Sequence, residues 1–246
     1  MRTFSVKYPL IAILALMVSA GLEAQIRLGA YIDAGDNNVS DGFYCKTALS
    51  GSYQLGRNRV EGGCQFDLKS NSTNFLTGTI LNFTREFSVK DFDFEIQGLF
   101  MDNFFSELVH ELDWGALAII ERKHFTCKLG TEFRTYHITR QASEDYDIES
   151  NKNLHENWNI MYLLGYNLKP IDNKWNVGIS ITNIDHYLIN QEINPMFYLR
   201  GKYDISSPLT LFAESWYKSA GMLNISATYF GFFIRTGLIW ELDLEK

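Results

Sequence analysis

Apolar and polar residues alternate along most of the chain, in stretches separated by groups of polar residues and glycines. Strict alternation is the pattern of a β-strand with one apolar and one polar face. Apart from the first residues, no run approaches the roughly 18 consecutive apolar residues of a transmembrane helix. The alternation predicts twelve strands, at residues 26–34, 42–55, 58–69, 75–87, 91–101, 107–121, 123–138, 157–168, 174–185, 196–205, 208–218 and 229–241.

The connections between these predicted strands are alternately short and, for the most part, longer. The short ones lie near Gly56, Ser88, Arg122, Ile171 and Ser206. An even number of strands returns the last strand beside the first and places both termini on one side, with short periplasmic turns and long outer loops. The sequence therefore predicts an all-β fold, a transmembrane antiparallel up-and-down β-barrel of about 12 strands.

Aromatic residues of the apolar face fall near both ends of the predicted strands, as expected for two girdles on a lipid-facing surface. One group lies near the turn side: Tyr53, Phe87, Phe92, Phe125, Tyr166, Trp175, Tyr203 and Trp240. The other lies near the loop side: Phe43, Phe75, Phe100, Trp158, Phe197, Tyr217 and Phe230. Alternation alone also fits a secreted soluble barrel or sandwich, which stays open as the alternative.

The first 24 residues have the pattern of a cleavable signal peptide. Arg2 and Lys7 precede the apolar run of residues 10–18, and small residues lead to Ala24. Cleavage after Ala24 leaves residues 25–246 as one barrel domain, and cleavage after Ala20 is the alternative. Nine apolar residues are too few to span a membrane, so the leader predicts export and, with the strands, location in a bacterial outer membrane.

The polar face of the strands carries charges of both signs and is expected to line the lumen. Such groups either fill a narrow interior with ion pairs or line a small water path, and both alternatives stay open. The formal net charge of −7 argues against a nucleic-acid partner. The candidates for a lumen constriction are Arg57, Arg59, Glu95, Asp113, Glu132, Arg134, Arg200 and Glu214.

Three polar residues, Arg85, His110 and His137, interrupt the apolar face. Arg85 and His137 lie near strand ends, where a side chain can reach lipid headgroups at little cost. His137 and Thr139 have the spacing of two residues that would let a base reach a hydroxyl nucleophile, but no residue to orient the base is identifiable. A membrane-embedded lipid hydrolase is therefore only a third hypothesis.

Other chemical motifs are few. Asp and His side chains at the rim of a barrel are used by some barrel proteases, and the pairs Asp185/His186 and Asp145/Asp147 are of these residue types. The sequence does not show how the two pairs lie relative to each other. The segment 140–156 is acidic and is interpreted as a solvated loop, with binding of divalent cations as the weaker alternative. No motif indicates a cofactor. Cys45, Cys64 and Cys127 share the apolar face, and a turn at Gly56 would leave the first two out of register for a disulfide.

The leader, the loop asymmetry and the final strand, Phe230-Gly-Phe-Phe-Ile-Arg-Thr-Gly-Leu-Ile-Trp240, resemble those of outer-membrane β-barrel proteins of didermic bacteria. The resemblance covers residues 25–246 and implies contact with outer-membrane lipid and insertion by the barrel assembly machinery, which recognises an aromatic residue near the end of the last strand. Trp240 is of that type. The favoured function is a narrow channel or uptake protein for small polar or charged solutes, and not an enzyme. The alternative is a closed structural or surface-binding barrel that acts through its extracellular loops.

Overall fold

The computed structural model describes residues 24–37, 42–68, 75–89, 92–104, 109–147, 149, 153–168, 174–185, 195–218 and 231–244. They form twelve strands and one short helix. The strands are β1 (Ala24–Asn37), β2 (Gly42–Leu55), β3 (Asn58–Asp67), β4 (Leu76–Val89), β5 (Phe92–Phe104), β6 (Val109–Arg122), β7 (Phe125–Ile138), β8 (Asn153–Asn167), β9 (Trp175–Thr182), β10 (Met196–Ser206), β11 (Leu209–Lys218) and β12 (Phe232–Leu244). The helix is α1 (Arg140–Tyr146).

Each strand pairs with its sequence neighbours, and β1 pairs with β12, so the sheet closes into an antiparallel up-and-down barrel. The prediction of about twelve strands in this topology is confirmed. Both described termini lie at one end, together with the β2–β3, β4–β5, β6–β7, β8–β9 and β10–β11 connections. We call this end the turn end and the opposite end the loop end. The β2–β3, β6–β7 and β10–β11 connections have only two residues each; in the first of them Gly56 has a φ of 54°, a conformation that glycine adopts without strain.

Apolar side chains cover the outside of the barrel and polar ones line the inside. Phe125 and Trp158, for example, are 64% and 68% exposed on the outer face, whereas the inward Asp113 and Glu132 are 0% exposed. This is the reverse of a soluble barrel, which hides its apolar residues. The alternative of a sandwich was wrong because β12 closes the sheet on β1. The outward apolar belt has the character of a lipid-facing surface.

A lysine placed in the middle of this belt tests whether the belt contacts lipid. Leu81 faces outward on β4, about midway between the outward aromatics Phe75 and Phe87, and is 53% exposed. We expect Leu81→Lys to lower the free energy of unfolding in phospholipid vesicles by about 2–4 kcal/mol, since an ammonium group at the bilayer midplane costs that much. Urea titration of the refolded barrel measures it.

The matched control is Val89→Lys, at the turn end of the same strand, where Val89 is 58% exposed. Near the interface the same substitution costs only about 0–1 kcal/mol. Equal losses at the two positions would contradict the assignment of the belt to a lipid environment.

Two segments differ from their sequence-based predictions. Residues 140–156 are not a continuous solvated loop, because Arg140–Tyr146 form α1 and β8 begins at Asn153. Thr139 caps the helix by accepting a hydrogen bond from the backbone N–H of Ala142 at 3.2 Å. The second difference is β9, which was predicted to reach residue 185 but ends at Thr182.

The three cysteines are free, as the register argument predicted for the first two. Leu49 pairs with Cys64 in the β2–β3 ladder, and the backbone N–H of Leu68 donates to the carbonyl of Cys45. The two sulfur-bearing residues are thus several positions out of register, beyond disulfide reach. Within the described residues, no helix is long and apolar enough to cross a membrane.

Candidate functional site

The interior of the barrel differs between the turn end and the loop end. At the turn end it encloses a cavity of about 540 Å³, lined mainly by charged and hydroxyl or amide side chains. Above it, toward the loop end, the lumen is filled with buried side chains. These include both apolar residues and two groups of charged residues, which lie on opposite sides of the barrel.

Three of the predicted constriction residues lie in the turn-end half. Arg59 donates from Nη2 to Oε2 of Glu95 at 2.9 Å, across the intervening strand β4. Arg57 is exposed in the β2–β3 turn and lines a second cavity of about 390 Å³ at the mouth, together with Glu86 and Asp93. The ion pair is partly exposed, so these residues form a charged vestibule.

Three further predicted residues, Asp113, Glu132 and Arg134, meet in one buried group on β6 and β7, which we call the Arg134 cluster with Glu111 included. The Arg134 side chain is 1% exposed and lies 2.9 Å from Glu132, 3.3 Å from Asp113 and 3.3 Å from Glu111. Asn159 on β8 donates to the same Glu132 oxygen at 3.1 Å. One guanidinium thus holds three carboxylates from two strands and ties β6, β7 and β8 together inside the lumen.

The second group surrounds Arg235 on β12. Its guanidinium binds Asp33 of β1 through two hydrogen bonds of 2.6 and 2.8 Å, and Asp185 through two more of 2.6 and 2.7 Å. The rings of Tyr31 and Trp216 lie beneath it, with centroids 4.5 and 5.4 Å from the guanidinium carbon. Such bidentate pairs fix both distance and orientation.

Gly237 lets β12 pack closely against β1 beside this group. A Cβ atom at this position would lie 2.3 Å from the carbonyl oxygen of Ala30 and 2.5 Å from the Cβ of Tyr31, the residue directly opposite on β1. Any side chain at this position would therefore collide with the backbone of β1.

The last two predicted residues, Arg200 and Glu214, form an ion pair between β10 and β11 beside this group. Glu214 accepts a hydrogen bond from Nε1 of Trp216 at 2.7 Å and lies 3.8 Å from Arg235. Both residues line the cavity; Arg200 is about one-third exposed, whereas Glu214 is buried. Whether the eight predicted residues constrict a flow of solute stays a prediction.

A short segment after β9 leaves the barrel wall and enters the lumen. We define this inward segment as residues 183–185. The backbone N–H of Asn183 still donates to the carbonyl of Tyr162 at 3.2 Å, and its side chain makes two further bonds to β8: Oδ1 accepts from the N–H of Tyr162 at 2.8 Å, and Nδ2 donates to the carbonyl of Ile160 at 2.7 Å. Both partners are on β8, so the wall is satisfied while the chain turns inward.

The rest of the inward segment contacts the interior. Ile184 packs against an apolar layer that crosses the lumen, and Asp185 reaches Arg235 on the far side of β10 and β11. The apolar layer consists of Tyr31, Ala48, Ile80, Leu99, Met101, Leu117, Ile119, Met161 and Phe212. Many of these side chains also line the cavity, so they form its apolar boundary.

Sequence reasoning did not single out the Arg235 group. The alternation of inward and outward positions along a strand places Asp33 and Arg235 on the polar face. They lie directly opposite each other because β12 pairs with β1. The position of Asp185 in the sequence is also a sign that the chain leaves the wall before this residue. Had β9 continued to residue 185, parity would have pointed this carboxylate at lipid, because the inward positions of β9 are the even ones.

Near the loop end, each residue of the predicted hydrolase pair, His137 and Thr139, has a described contact with a third residue. His137 Nε2 lies 3.0 Å from the hydroxyl of Thr135, on its own strand. The Thr135 hydroxyl donates to the carbonyl of Leu112 at 3.3 Å, so toward His137 it accepts. Thr139 accepts a hydrogen bond at the helix cap. Whether His137 and Thr139 act together as base and nucleophile stays a prediction.

The rim residues likewise give no catalytic arrangement among the described residues. Asp145 is exposed on α1, Asp147 ends that helix in a left-handed conformation, and His186 lies outside the described residues. His110 on the outer face contacts Asp102 of β5. In the described part of the chain, no three His, Cys, Asp or Glu side chains are grouped so that they could hold a metal ion.

Comparison with known proteins shows the fold. No protein-family model matches the sequence, and no curated protein is similar to it in sequence. The NanC porin superposes with a TM-score of 0.53 at 10% identity, over 88% of this chain and 100% of that chain. The translocator domain of the autotransporter NalP from Neisseria meningitidis gives 0.49 at 12%, over 95% and 94%. The outer-membrane phospholipase A from Escherichia coli gives 0.45 at 9%, over 87% and 89%. This chain therefore has the fold of a bacterial outer-membrane β-barrel.

Proposed function

We propose that this protein resides in the outer membrane as a narrow channel for small polar or charged solutes, closed in the conformation described above. The observation that carries the proposal is the cavity of about 540 Å³ in the turn-end half, whose upper boundary includes Ile184 and Asp185. A cavity with charged walls is suited to a hydrated polar solute. Its upper boundary is partly made by a segment that is not part of the wall.

A lumen that is closed in this structure is consistent with a channel if the inward segment can move. Side chains on a barrel strand move only as far as their rotamers allow, whereas Ile184 and Asp185 follow the last residue of β9. Next to β9 they are held by the Asn183 side chain and by the hydroxyl of Thr182, which accepts from the N–H of Ile184 at 2.9 Å. Asp185 holds the segment down through its hydrogen bonds to Arg235. Release of that contact would widen the passage between the cavity and the loop end.

Membrane location is supported by the outward apolar belt and by the charged interior, as argued above. The leader would direct the chain across the inner membrane, and N-terminal sequencing of the exported protein decides between cleavage after Ala24 and after Ala20. Recognition of β12 by the barrel assembly machinery stays a prediction. With its short turns facing the periplasm, the cavity would open on the periplasmic side.

The alternative, a closed barrel that acts through its extracellular loops, is favoured by one observation: the buried Arg134 and Arg235 groups fill the loop-end half of the lumen. Buried ionic groups with several hydrogen bonds, such as those of Arg235 to Asp33 and Asp185, rigidify a structure. The two functions differ in whether ions pass through the lumen.

Single-channel recording in a planar bilayer tests the proposal. The processed protein, purified from membranes and shown to be folded, is expected to give brief openings of small conductance, with long closed periods because the inward segment is held by Arg235. The relative permeability of the channel to chloride and potassium is read from the reversal potential under a salt gradient. A folded barrel that remains silent at all voltages, and in the variants described below, would favour the loop-binding alternative.

A further inference from the structure

One wall of the turn-end cavity carries an ammonium group without an acidic partner. Lys202 points inward from β10, between Asn176 on β9 and Phe212 on β11. Within the described part of the chain, it makes no ion pair within 4.0 Å and no hydrogen bond. Lysines buried in protein interiors are ordinarily paired, so an inward lysine without a partner calls for one.

The groups around Lys202 make its surroundings more positive. The charged groups that act most strongly on it are Arg200, two residues along the same strand, and Arg27 on β1; Glu214 and Glu241 act less strongly. Both carboxylates are already engaged: Glu214 with Arg200, and Glu241 with Arg27 at 3.2 Å. Lys202 is therefore left with uncompensated positive charge.

The opposite wall of the cavity has the opposite character. Glu61 on β3 and Glu121 on β6 line it without an ion pair among the described residues, and Glu95 is paired with Arg59. Lys128 on β7 lies at the border of the two walls and is acted on mainly by Glu121 and Glu61. The cavity thus has an acidic side on β3–β6 and a basic side centred on Lys202.

We propose that Lys202, with Arg27 and Arg200, forms a binding site for small oxyanions, so that the solute taken up carries a carboxylate or a phosphate group. The three side chains line the same cavity, together with the hydrogen-bonding groups of Asn176, Ser50 and Ser52. A carboxylate or phosphate oxygen would accept the hydrogen bonds that the Lys202 ammonium group can donate. Arg27 and Arg200 would keep their ion pairs with Glu241 and Glu214. The acidic wall opposite would repel a second negative charge and set the orientation of the solute.

The site rests on the proposed function in one respect, namely that the bound anion is the transported solute. Binding itself can be measured without conduction. Inorganic phosphate and ¹³C-labelled acetate are therefore titrated with the detergent-solubilised, processed protein at fixed ionic strength, and the ³¹P and ¹³C line widths are followed. Exchange with a site on a large particle broadens the line even when binding is weak.

We expect broadening of at least one of the two resonances by the wild-type protein. Lys202→Gln should weaken binding by about 10-fold or more, because a hydrogen bond to a charged group contributes about 1.5–3 kcal/mol. Lys202→Arg keeps the charge and should retain most of the affinity. The matched control is Lys174→Gln, since Lys174 is exposed in the turn before β9 and does not line the cavity.

The outcomes separate the site from the channel. Broadening that is unchanged in Lys202→Gln, or absent for both anions with the folded wild-type protein, overturns the site even if the barrel conducts. Binding that depends on Lys202 in a barrel that never conducts retains the site and overturns the proposed function. Broadening by phosphate alone or acetate alone identifies which oxyanion the site takes.

Discussion

Replacing Asp185 by asparagine is expected to open the lumen. The substitution removes the charge that holds the inward segment to Arg235 and leaves the barrel wall unchanged. Arg235 keeps Asp33 as its counterion, so the loss is that of hydrogen bonding between two charged groups, about 1.5–3 kcal/mol, and each 1.4 kcal/mol changes an equilibrium constant tenfold. The population with the segment released should therefore rise by about 10-fold or more. Single-channel recording measures this as a large increase in open probability.

Asp33→Asn is the matched control for this prediction. Asp33 binds the same guanidinium with the same bidentate geometry, but it belongs to β1, a strand of the wall. Its loss should lower the free energy of unfolding and leave the inward segment bound through Asp185. If Asp33→Asn and Asp185→Asn raised the open probability equally, a general loosening of the barrel would explain both, and the segment would not be the gate.

Replacing Arg134 by methionine should have the largest effect on stability. Methionine preserves much of the volume but leaves Glu111, Asp113 and Glu132 buried without a counterion. We expect the free energy of unfolding to fall by at least about 3–5 kcal/mol, measured by urea titration in phospholipid vesicles. Arg134→Lys should lose less, because it keeps the charge and gives up the planar fork that reaches several carboxylates.

The comparison variant is Arg59→Met, which breaks an ion pair of similar length in the more exposed vestibule. Partly solvated pairs contribute only about 0–1 kcal/mol, so this variant should be nearly as stable as the wild type. Adding Glu132→Gln to Arg134→Met should restore part of the lost stability, since one uncompensated charge is removed. If Arg134→Met proved as mild as Arg59→Met, the cluster would not contribute to the stability of the barrel.

The strands and the direction of their side chains could be predicted from the sequence because a strand has a period of two and a barrel has only two faces. The turn at Gly56 fixed the β2–β3 register, so the position of Cys64 opposite Leu49 followed as well. Asp113, Glu132 and Arg134 could be assigned to the lumen on the same grounds. Parity gives the face of a residue but not its partners across the interior.

Partners across the lumen depend on strand tilt and stagger, which sequence periodicity does not encode. Arg59 and Glu95 meet although β4 lies between their strands, and Arg235 meets Asp185 from across β10 and β11. The helix α1 was missed because it has only seven residues and one buried side chain, Ala142, which is too little to give a helical pattern of apolar residues. The early end of β9 was missed because the side chain of Asn183 makes hydrogen bonds to β8 that the backbone of a longer strand would make. A pattern of apolar and polar residues does not reveal such bonds.

Asn183 also imposes a requirement on the sequence. The position must supply an acceptor to the N–H of Tyr162 and a donor to the carbonyl of Ile160, at the reach of one methylene group. Aspartate lacks the donor, and glutamine is one carbon too long. An asparagine just past a strand of eight residues, followed two positions later by an acid that parity would point at lipid, is therefore a signature. It would identify the same inward turn in a distant relative from its sequence alone.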